Sequence, residues 1–254
     1  MGPDLIIGRL KAIRDPKMRV LALVGALGQG EAEAWVEALA AIVARAHLVD
    51  DADAMEILQT VTHAAAEPSL PYELRQRLYT AAVEHNLPTI ARLFLLASPQ
   101  GELPRQLEKQ LGPERPLRPN DSRPLTLGER KALARTHRRD KLTLLIRDPH
   151  PQVVAIVLDN PHITEQDVVK MAAARPAVPD SLAKIAMHPR WSVRHAVKRA
   201  LVLNPSTPLA DAIRIATTLR APELVELAND HSLPELLRKH ASEVLAELQS
   251  RPRA

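Results

Sequence analysis

The sequence contains no cysteine, which excludes disulfide bonds, thiolate nucleophiles and any iron–sulfur or zinc site that depends on cysteine ligands. Aromatic residues are also scarce, with one Phe, two Tyr and two Trp among 254 residues. The core therefore has to be built mainly from Leu, Ala, Val and Ile. Because Ala and Leu lose little rotamer freedom in a helix, this composition predicts an all-α fold.

Long apolar segments are missing as well. No window approaches the roughly 18 uninterrupted apolar residues of a membrane span. Residues 1–16 lack the cationic start, apolar run and cleavage site of a signal peptide. These absences lead us to expect a cytoplasmic protein with no membrane span.

Charge is unevenly distributed along the chain. Residues 1–104 carry 9 Lys and Arg against 13 Asp and Glu, whereas residues 105–254 carry 25 against 17. The positive excess therefore lies in the C-terminal part, which indicates that an anionic partner is to be sought there.

Proline divides the chain into three predicted regions. Residues 1–98 contain five or six helical segments with short connections, which is typical of a helical bundle or of degenerate repeats. Residues 99–125 include six prolines interleaved with arginines, and we interpret them as a linker because each proline removes an amide donor and restrains its neighbour. Residues 126–250 are predicted to form a helical-repeat region.

Local signals place several helix starts. Asp15 followed by Pro16 can cap a helix with its carboxylate while proline occupies a position where no amide donor is needed. Asp51 predicts another start, and Thr126 with Glu129 forms a possible capping box.

Helix-ending dipeptides, here called stops, recur at regular intervals in the C-terminal region. Up to Asn204, successive stops are separated by little more than the length of one short helix. The stops at Asp148, His188 and Asn229 are almost equally spaced, and a fixed period within the range of roughly 20 to 50 residues is typical of a solenoid. The stops are Asp148-Pro149, Asn160-Pro161, Arg175-Pro176, His188-Pro189, Asn204-Pro205 and, in weaker form, Asn229-Asp230.

The residues around these stops follow a recurring pattern of Val-Arg, a second Val, Asn-Pro and Thr-Pro. It is matched best by Val193-Arg194, Val197, Asn204-Pro205 and Thr207-Pro208, and in part by the segment from Asp148 to Thr164. In this respect residues 148–245 resemble the leucine-rich repeat variant family and related HEAT-like arrays. The resemblance implies an α-solenoid, a right-handed superhelix of short helices. The cysteine-bound iron–sulfur cluster of one founding member of that family cannot be carried over to a chain without cysteine.

No motif predicts catalysis. Gly25, Gly28 and Gly30 follow a helix and not a strand, so we interpret them as a helix end and not as a phosphate-binding loop. None of the ten histidines forms a metal-binding motif such as HExxH, and no serine lies in a GxSxG or SxxK motif. We therefore expect no catalytic residue, no metal and no cofactor.

The candidate binding residues form two basic clusters. If residues 191–203 are helical, Val193, Ala196, Val197, Ala200 and Leu201 face the core, and the opposite side carries the first cluster. The two clusters could join into one basic stripe, because equivalent helices of a solenoid line one face; the alternative is a solvated face with interspersed acidic residues. The first cluster comprises Arg190, Trp191, Arg194, His195, Lys198 and Arg199, and the second comprises Arg135, Arg138, Arg139 and Lys141, with Arg130 and Lys131 beside them.

Two interpretations of Trp191 remain open. An exposed indole among arginines is typical of a binding hot spot. Alternatively, Trp191 packs back onto the preceding helix and fills a gap there.

These observations lead to one main functional hypothesis and one alternative. The main hypothesis is a non-enzymatic adaptor that binds the acidic surface or segment of a protein through the face of its C-terminal repeats. The alternative is binding of nucleic acid, in which the Arg and Lys residues contact duplex phosphates. A HEAT-like DNA-repair glycosylase is a third, less favoured possibility.

Overall fold

The protein is all-α, as its composition predicts. The computed structural model describes residues 2–48, 51–95 and 123–250, and within these ranges it contains fifteen helices and no strand. None of the helices in these ranges combines the length and the apolar character needed to cross a membrane. In chain order the helices are α1 Pro3–Lys11, α2 Pro16–Leu27, α3 Ala32–Leu48, α4 Ala52–Ala66, α5 Tyr72–Glu84, α6 Pro88–Leu95, α7 Leu127–Ala134, α8 Arg139–Leu145, α9 Pro151–Asp159, α10 Glu165–Ala172, α11 Pro179–Ala186, α12 His195–Val202, α13 Leu209–Ala216, α14 Ala221–Asn229 and α15 Glu235–Ser250.

The helices belong to two compact units. The first unit combines Met1–Pro99 with Ala212–Ala254, and the second is formed by Gln100–Asp211. The boundary between the units thus falls inside the predicted repeat region 126–250. The last part of that region packs with the N-terminal helices. Of the predicted linker 99–125, only residues 123–125 lie within the described residues.

The predicted helix starts are confirmed where a cap was identified in the sequence. The carboxylate of Asp15 accepts a hydrogen bond from the Met18 amide, and that of Asp51 accepts from two amides of α4. Thr126 and Glu129 form the capping box at the start of α7. These starts are correct because capping is a contact between residues two or three positions apart, which the sequence specifies directly.

The first unit has an aliphatic core. Leu23, Leu39, Ile57 and Leu78, on four successive helices, are each exposed by no more than 1%. Trp35 is also buried, and its indole ring passes so close to Gly30 that a Cβ atom there would lie 2.7 Å from Nε1. Packing therefore requires glycine at position 30.

In the second unit α9 packs mainly on α7 and α11, and α10 packs mainly on α12, whereas α8 packs mainly on α7 and α9. Helices α7, α9 and α11 thus form one set. Helices α8, α10 and α12 form the other, in which α8 is joined to α10 by the ion pair of Arg139 with Asp167. Within a set the helices are parallel. The starts of α9 and α11 are joined by the hydrogen bond from Ser181 Oγ to the Pro149 carbonyl, and their ends by that from Trp191 Nε1 to the Leu158 carbonyl.

The recurrence of helices differs from the predicted pairing of Asp148 with His188. Helices α7, α9 and α11 begin at positions 127, 151 and 179, and α8, α10 and α12 begin at 139, 165 and 195. The interval at which a helix pair recurs is therefore shorter than the interval between Asp148 and His188. Asp148 precedes α9, whereas His188 follows α11. Because α9 and α11 are parallel, the two stops lie at opposite ends of their set and are not equivalent.

At every stop except Arg175-Pro176 the polar residue has a defined structural role. Its side chain accepts a hydrogen bond from the amide two residues later, which closes a turn where the helix ladder ends. Asn160 and Asn204 also donate from Nδ2 to two carbonyls at the end of a neighbouring helix, at 2.8 to 2.9 Å. The turn is found at Asp148, Asn160, His188, Asn204 and Asp230, the last of which takes the place predicted for Asn229.

Candidate binding edge

Three connections of the second unit lie side by side along one edge. They join α7 to α8, α9 to α10 and α11 to α12. The first two are linked by Asn160, whose Nδ2 donates to the carbonyls of Ala134 and Thr136, both at 2.9 Å. The second and third connections are linked by His188, whose Nε2 lies 3.1 Å from Oδ1 of Asp159. We call residues 135–139, 159–164 and 187–195 the basic edge.

The first two connections also make contact through their basic side chains. The rings of His137 and His162 meet edge to face, with centroids 5.1 Å apart. Arg139 donates to the His162 carbonyl and forms a bidentate ion pair with the buried carboxylate of Asp167. Burial opposes the charge of Asp167, but the hydrogen bonds from Arg139 and Thr164 outweigh it and lower its pKa to about 2.

The predicted cluster around residues 135–141 is only partly available to a partner. Arg135 is exposed, and its guanidinium donates to the Lys131 carbonyl at 3.1 Å. Arg138 is also exposed and forms an ion pair with Asp140 at 3.0 Å, and its hydrogen bond lowers the pKa of that carboxyl group. Lys141 is half-buried on the first turn of α8.

Arg130, which the sequence placed beside this cluster, is a core residue. It is 4% exposed, and its guanidinium contacts both carboxylate oxygens of Asp148 at 2.6 Å. A buried pair of this kind is structural, because removing either partner would leave an uncompensated charge in the core.

Trp191 is buried, as the packing interpretation predicts, although its indole is hydrogen-bonded to α9, which packs beside the preceding helix α11. The side chain is 2% exposed, and its indole N–H donates to the Leu158 carbonyl at 2.8 Å. Residues 188–194 form turns, in which the Ser192 amide donates to the His188 carbonyl, and α12 begins only at His195. The ring therefore lies before the helix and fills the space at the end of α9.

The later start of α12 also changes which residues are exposed. Val193, predicted to face the core, is 44% exposed because it lies outside the helix, and Ala196 is exposed as well. Lys198, predicted on the solvent side, is 6% exposed, so it is not available as a surface contact. Val197 and Leu201 are buried as predicted.

The remaining members of the cluster are at the surface. Arg190, Arg194, His195 and Arg199 are all exposed. The Arg190 guanidinium lies 4.2 Å from the centroid of the Trp191 ring, a cation–π contact that fixes the arginine on the buried indole. Trp191 thus supports a surface charge without being a surface contact itself.

The start of α12 adds to the positive potential of the edge. Its N-cap residue is Arg194, which makes no side-chain cap, and the first turn contains no acidic residue. The neighbouring α10, in contrast, is closed by a capping box of Thr164 and Asp167. The positive end of the α12 dipole therefore coincides with exposed arginines, an arrangement that favours anions.

The basic edge brings the two predicted clusters together through a connection that the prediction did not include. Arg135, Arg138 and Arg139 lie on the first connection, and Arg190 and Arg194 on the third, with residues 159–164 between them. His137, His162 and His188 were not among the predicted binding residues, because the sequence does not show which histidines become neighbours in the fold. Within the described residues no group of His, Asp and Glu is arranged to hold a metal ion.

Comparison with known proteins adds no assignment: no family model, curated protein or solved structure matches the chain.

Proposed function

We propose that this chain is a cytoplasmic, non-enzymatic α-solenoid adaptor, related to the leucine-rich repeat variant and HEAT-like arrays, whose basic edge binds an acidic segment of a protein partner. The observation that carries the proposal is the contiguity of the edge. Exposed arginines from the first and third connections are joined through the second, so a single extended ligand can contact both.

The repeat part of the proposal is supported by the packing of the second unit. Helices α7, α9 and α11 pack in parallel and recur at similar intervals, and the intervening helices α10 and α12 pack on each other in the same way. Stacked helix pairs of this kind present equivalent connections along one edge, which is how repeat proteins build extended binding surfaces.

The charge pattern favours an acidic protein segment over duplex DNA. Asp159 is exposed on the edge and Asp140 directly beside it, and Arg138 is already paired with Asp140. A duplex offers closely spaced phosphates and would be repelled by both carboxylates, whereas a protein segment can place its acidic residues opposite the arginines alone.

We expect a fluorescent polyglutamate peptide of about 12 residues to bind the protein at low salt and to dissociate as salt is raised, because the contacts are exposed charge pairs. The double substitution Arg190→Glu/Arg194→Glu should weaken binding at least about tenfold, which corresponds to about 1.4 kcal/mol. Fluorescence anisotropy measures both effects.

The matched control is Lys170→Glu/Lys184→Glu, which makes the same change in charge with two exposed lysines of the second unit outside the basic edge. Its affinity for the peptide should stay within about twofold of the native protein, since screening limits distant charges. An equal loss of peptide affinity in both double variants would show that binding depends only on the net charge of the protein. If a short DNA duplex binds more tightly than the peptide, and this binding is lost in Arg190→Glu/Arg194→Glu but not in the control, nucleic-acid binding replaces the adaptor proposal.

A further inference from the structure

Thr217, directly after α13, is held by two histidines from distant parts of the first unit. Its carbonyl lies 2.9 Å from Nε2 of His47 on α3, and its hydroxyl lies 2.9 Å from Nε2 of His240 on α15. These contacts join the segment 217–250 to the N-terminal helices. Two further contacts do the same: Glu247 accepts from the amide and hydroxyl of Thr89 on α6, and Glu243 pairs with Arg92.

The hydrogen-bond geometry assigns the protons of His240. The Thr217 hydroxyl donates to the Ile213 carbonyl at 2.9 Å, so it can only accept from His240, whose proton is therefore on Nε2. The other ring nitrogen, Nδ1, is buried and has no hydrogen-bond partner among the described residues. The site thus accommodates the neutral ring and offers no acceptor for a second proton.

The surroundings of His240 oppose a positive charge. The side chain is 0% exposed, and burial together with the nearby Arg92 guanidinium lowers its pKa to about 3. Burial likewise lowers the pKa of His47, despite its hydrogen bond to the Thr217 carbonyl. The helices packed on α15 are α3, α6 and α14. The charged or titratable groups on these four helices, besides His240, are Glu33, Glu37, Arg45 and His47 on α3, Arg92 on α6, Glu223 and Glu226 on α14, and Glu235, Arg238, Lys239, Glu243 and Glu247 on α15.

We propose that His240, assisted by His47, makes the attachment of segment 217–250 to helices α3 and α6 sensitive to acid, so that the segment detaches as the pH falls. We call this attachment the clasp. A proton added to Nδ1 would place a charge and an unsatisfied N–H in the core, next to Arg92. Opening of the segment exposes the ring to water, where the proton is accepted without this cost. Mild acid therefore favours the opened segment, and the helices of the N-terminal part remain folded.

The sign and size of the effect follow from linkage. Each histidine has a lower pKa in the closed form than in the opened form, so the opened form binds more protons and gains population as the pH falls below about 6.5. The opening equilibrium rises by at most about tenfold per pH unit for each histidine, and about a hundredfold when both respond.

Hydrogen exchange of the full chain, corrected for the intrinsic pH dependence of exchange, tests the clasp. Between pH 6.5 and 5, amide protection in segment 217–250 should fall at least about tenfold, while protection in α2 and α4 stays constant. His240→Gln should abolish most of this change, because the glutamine amide can donate to Thr217 and gains no proton in this range. The carboxylates of Glu243 and Glu247 remain in that variant, so any opening caused by them remains too.

His231→Gln is the matched control, since His231 is an exposed histidine of the same segment, and it should retain the pH dependence. A uniform loss of protection in all helices of the first unit, or an unchanged pH dependence in His240→Gln, would overturn the clasp. If His240→Gln does not fold, the ring-proton resonance of His240 in the native protein decides instead. Its chemical shift should change only together with the loss of protection, and titration without opening would also overturn the proposal.

Discussion

Asn204→Ala is expected to lower the free energy of unfolding by about 3 kcal/mol, because the change removes three hydrogen bonds within a buried turn. The amide of Asn204 donates to the carbonyls of Ala172 and Ala174 and accepts from the Ser206 amide, and the side chain is 2% exposed. Alanine leaves two carbonyls at the end of α10 and one amide without partners where water has little access. Urea unfolding followed by far-UV circular dichroism measures the loss.

Asn229→Ala provides the matched control for this change. Asn229 is exposed, and its amide donates only to the Val225 carbonyl of its own helix. We expect an effect within about 0.5 kcal/mol, as is usual for a surface substitution. Asn160→Ala, at the other stop with the same pair of carbonyl contacts, should in turn resemble Asn204→Ala. Similar stabilities for Asn204→Ala and Asn229→Ala would show that the contacts between α10 and α12 do not depend on the stop.

Trp191→Ala should destabilise the protein by about 4 kcal/mol, because it deletes a fully buried aromatic side chain and leaves a cavity. The same change leaves the Leu158 carbonyl at the end of α9 without the indole donor. Trp191→Phe, which restores most of the volume and lacks the N–H, should cost about 1 to 2 kcal/mol. Thermal and urea unfolding by circular dichroism distinguish the two variants.

Arg190→Ala is the control that separates packing from binding at this position. It removes the cation above the indole and leaves the buried ring in place, so its effect on stability should be below about 1 kcal/mol. Its affinity for the acidic peptide should nevertheless fall, because the guanidinium is exposed on the basic edge. A Trp191→Ala variant with native stability and lost peptide binding would instead make the indole itself the contact.

Local features of the fold were predictable from the sequence because their causes lie within a few residues. The all-α class follows from the abundance of Ala and Leu, and the starts at Asp15, Asp51 and Thr126 follow from side chains that cap amides two or three positions away. The polar residues of five stops belong to the same category, since Asp148, Asn160, His188, Asn204 and Asp230 each close a turn with the amide two residues later.

Equivalence between stops was not predictable, because it depends on which helices become neighbours. Asp148 and His188 are both followed by proline and are separated by one apparent repeat period, yet one begins a helix and the other ends one in the same set. Spacing along the chain cannot distinguish these cases. The hydrogen bonds of Ser181 and Trp191 to the two ends of α9 do so, by fixing which ends of α9 and α11 lie together.

The sequence by itself determined the all-α class of this protein, its capped helix starts and where its positive charge is concentrated. Only the tertiary structure decided which of those charges are available. Trp191 and Lys198 are buried because α12 begins at His195, and Arg130 is buried because Asp148 compensates its charge. Arg135, Arg138, Arg190 and Arg194 share one edge because residues 159–164 lie between their connections. Propensity and capping act over a few residues, whereas burial and charge pairing are set by neighbours distant in the chain.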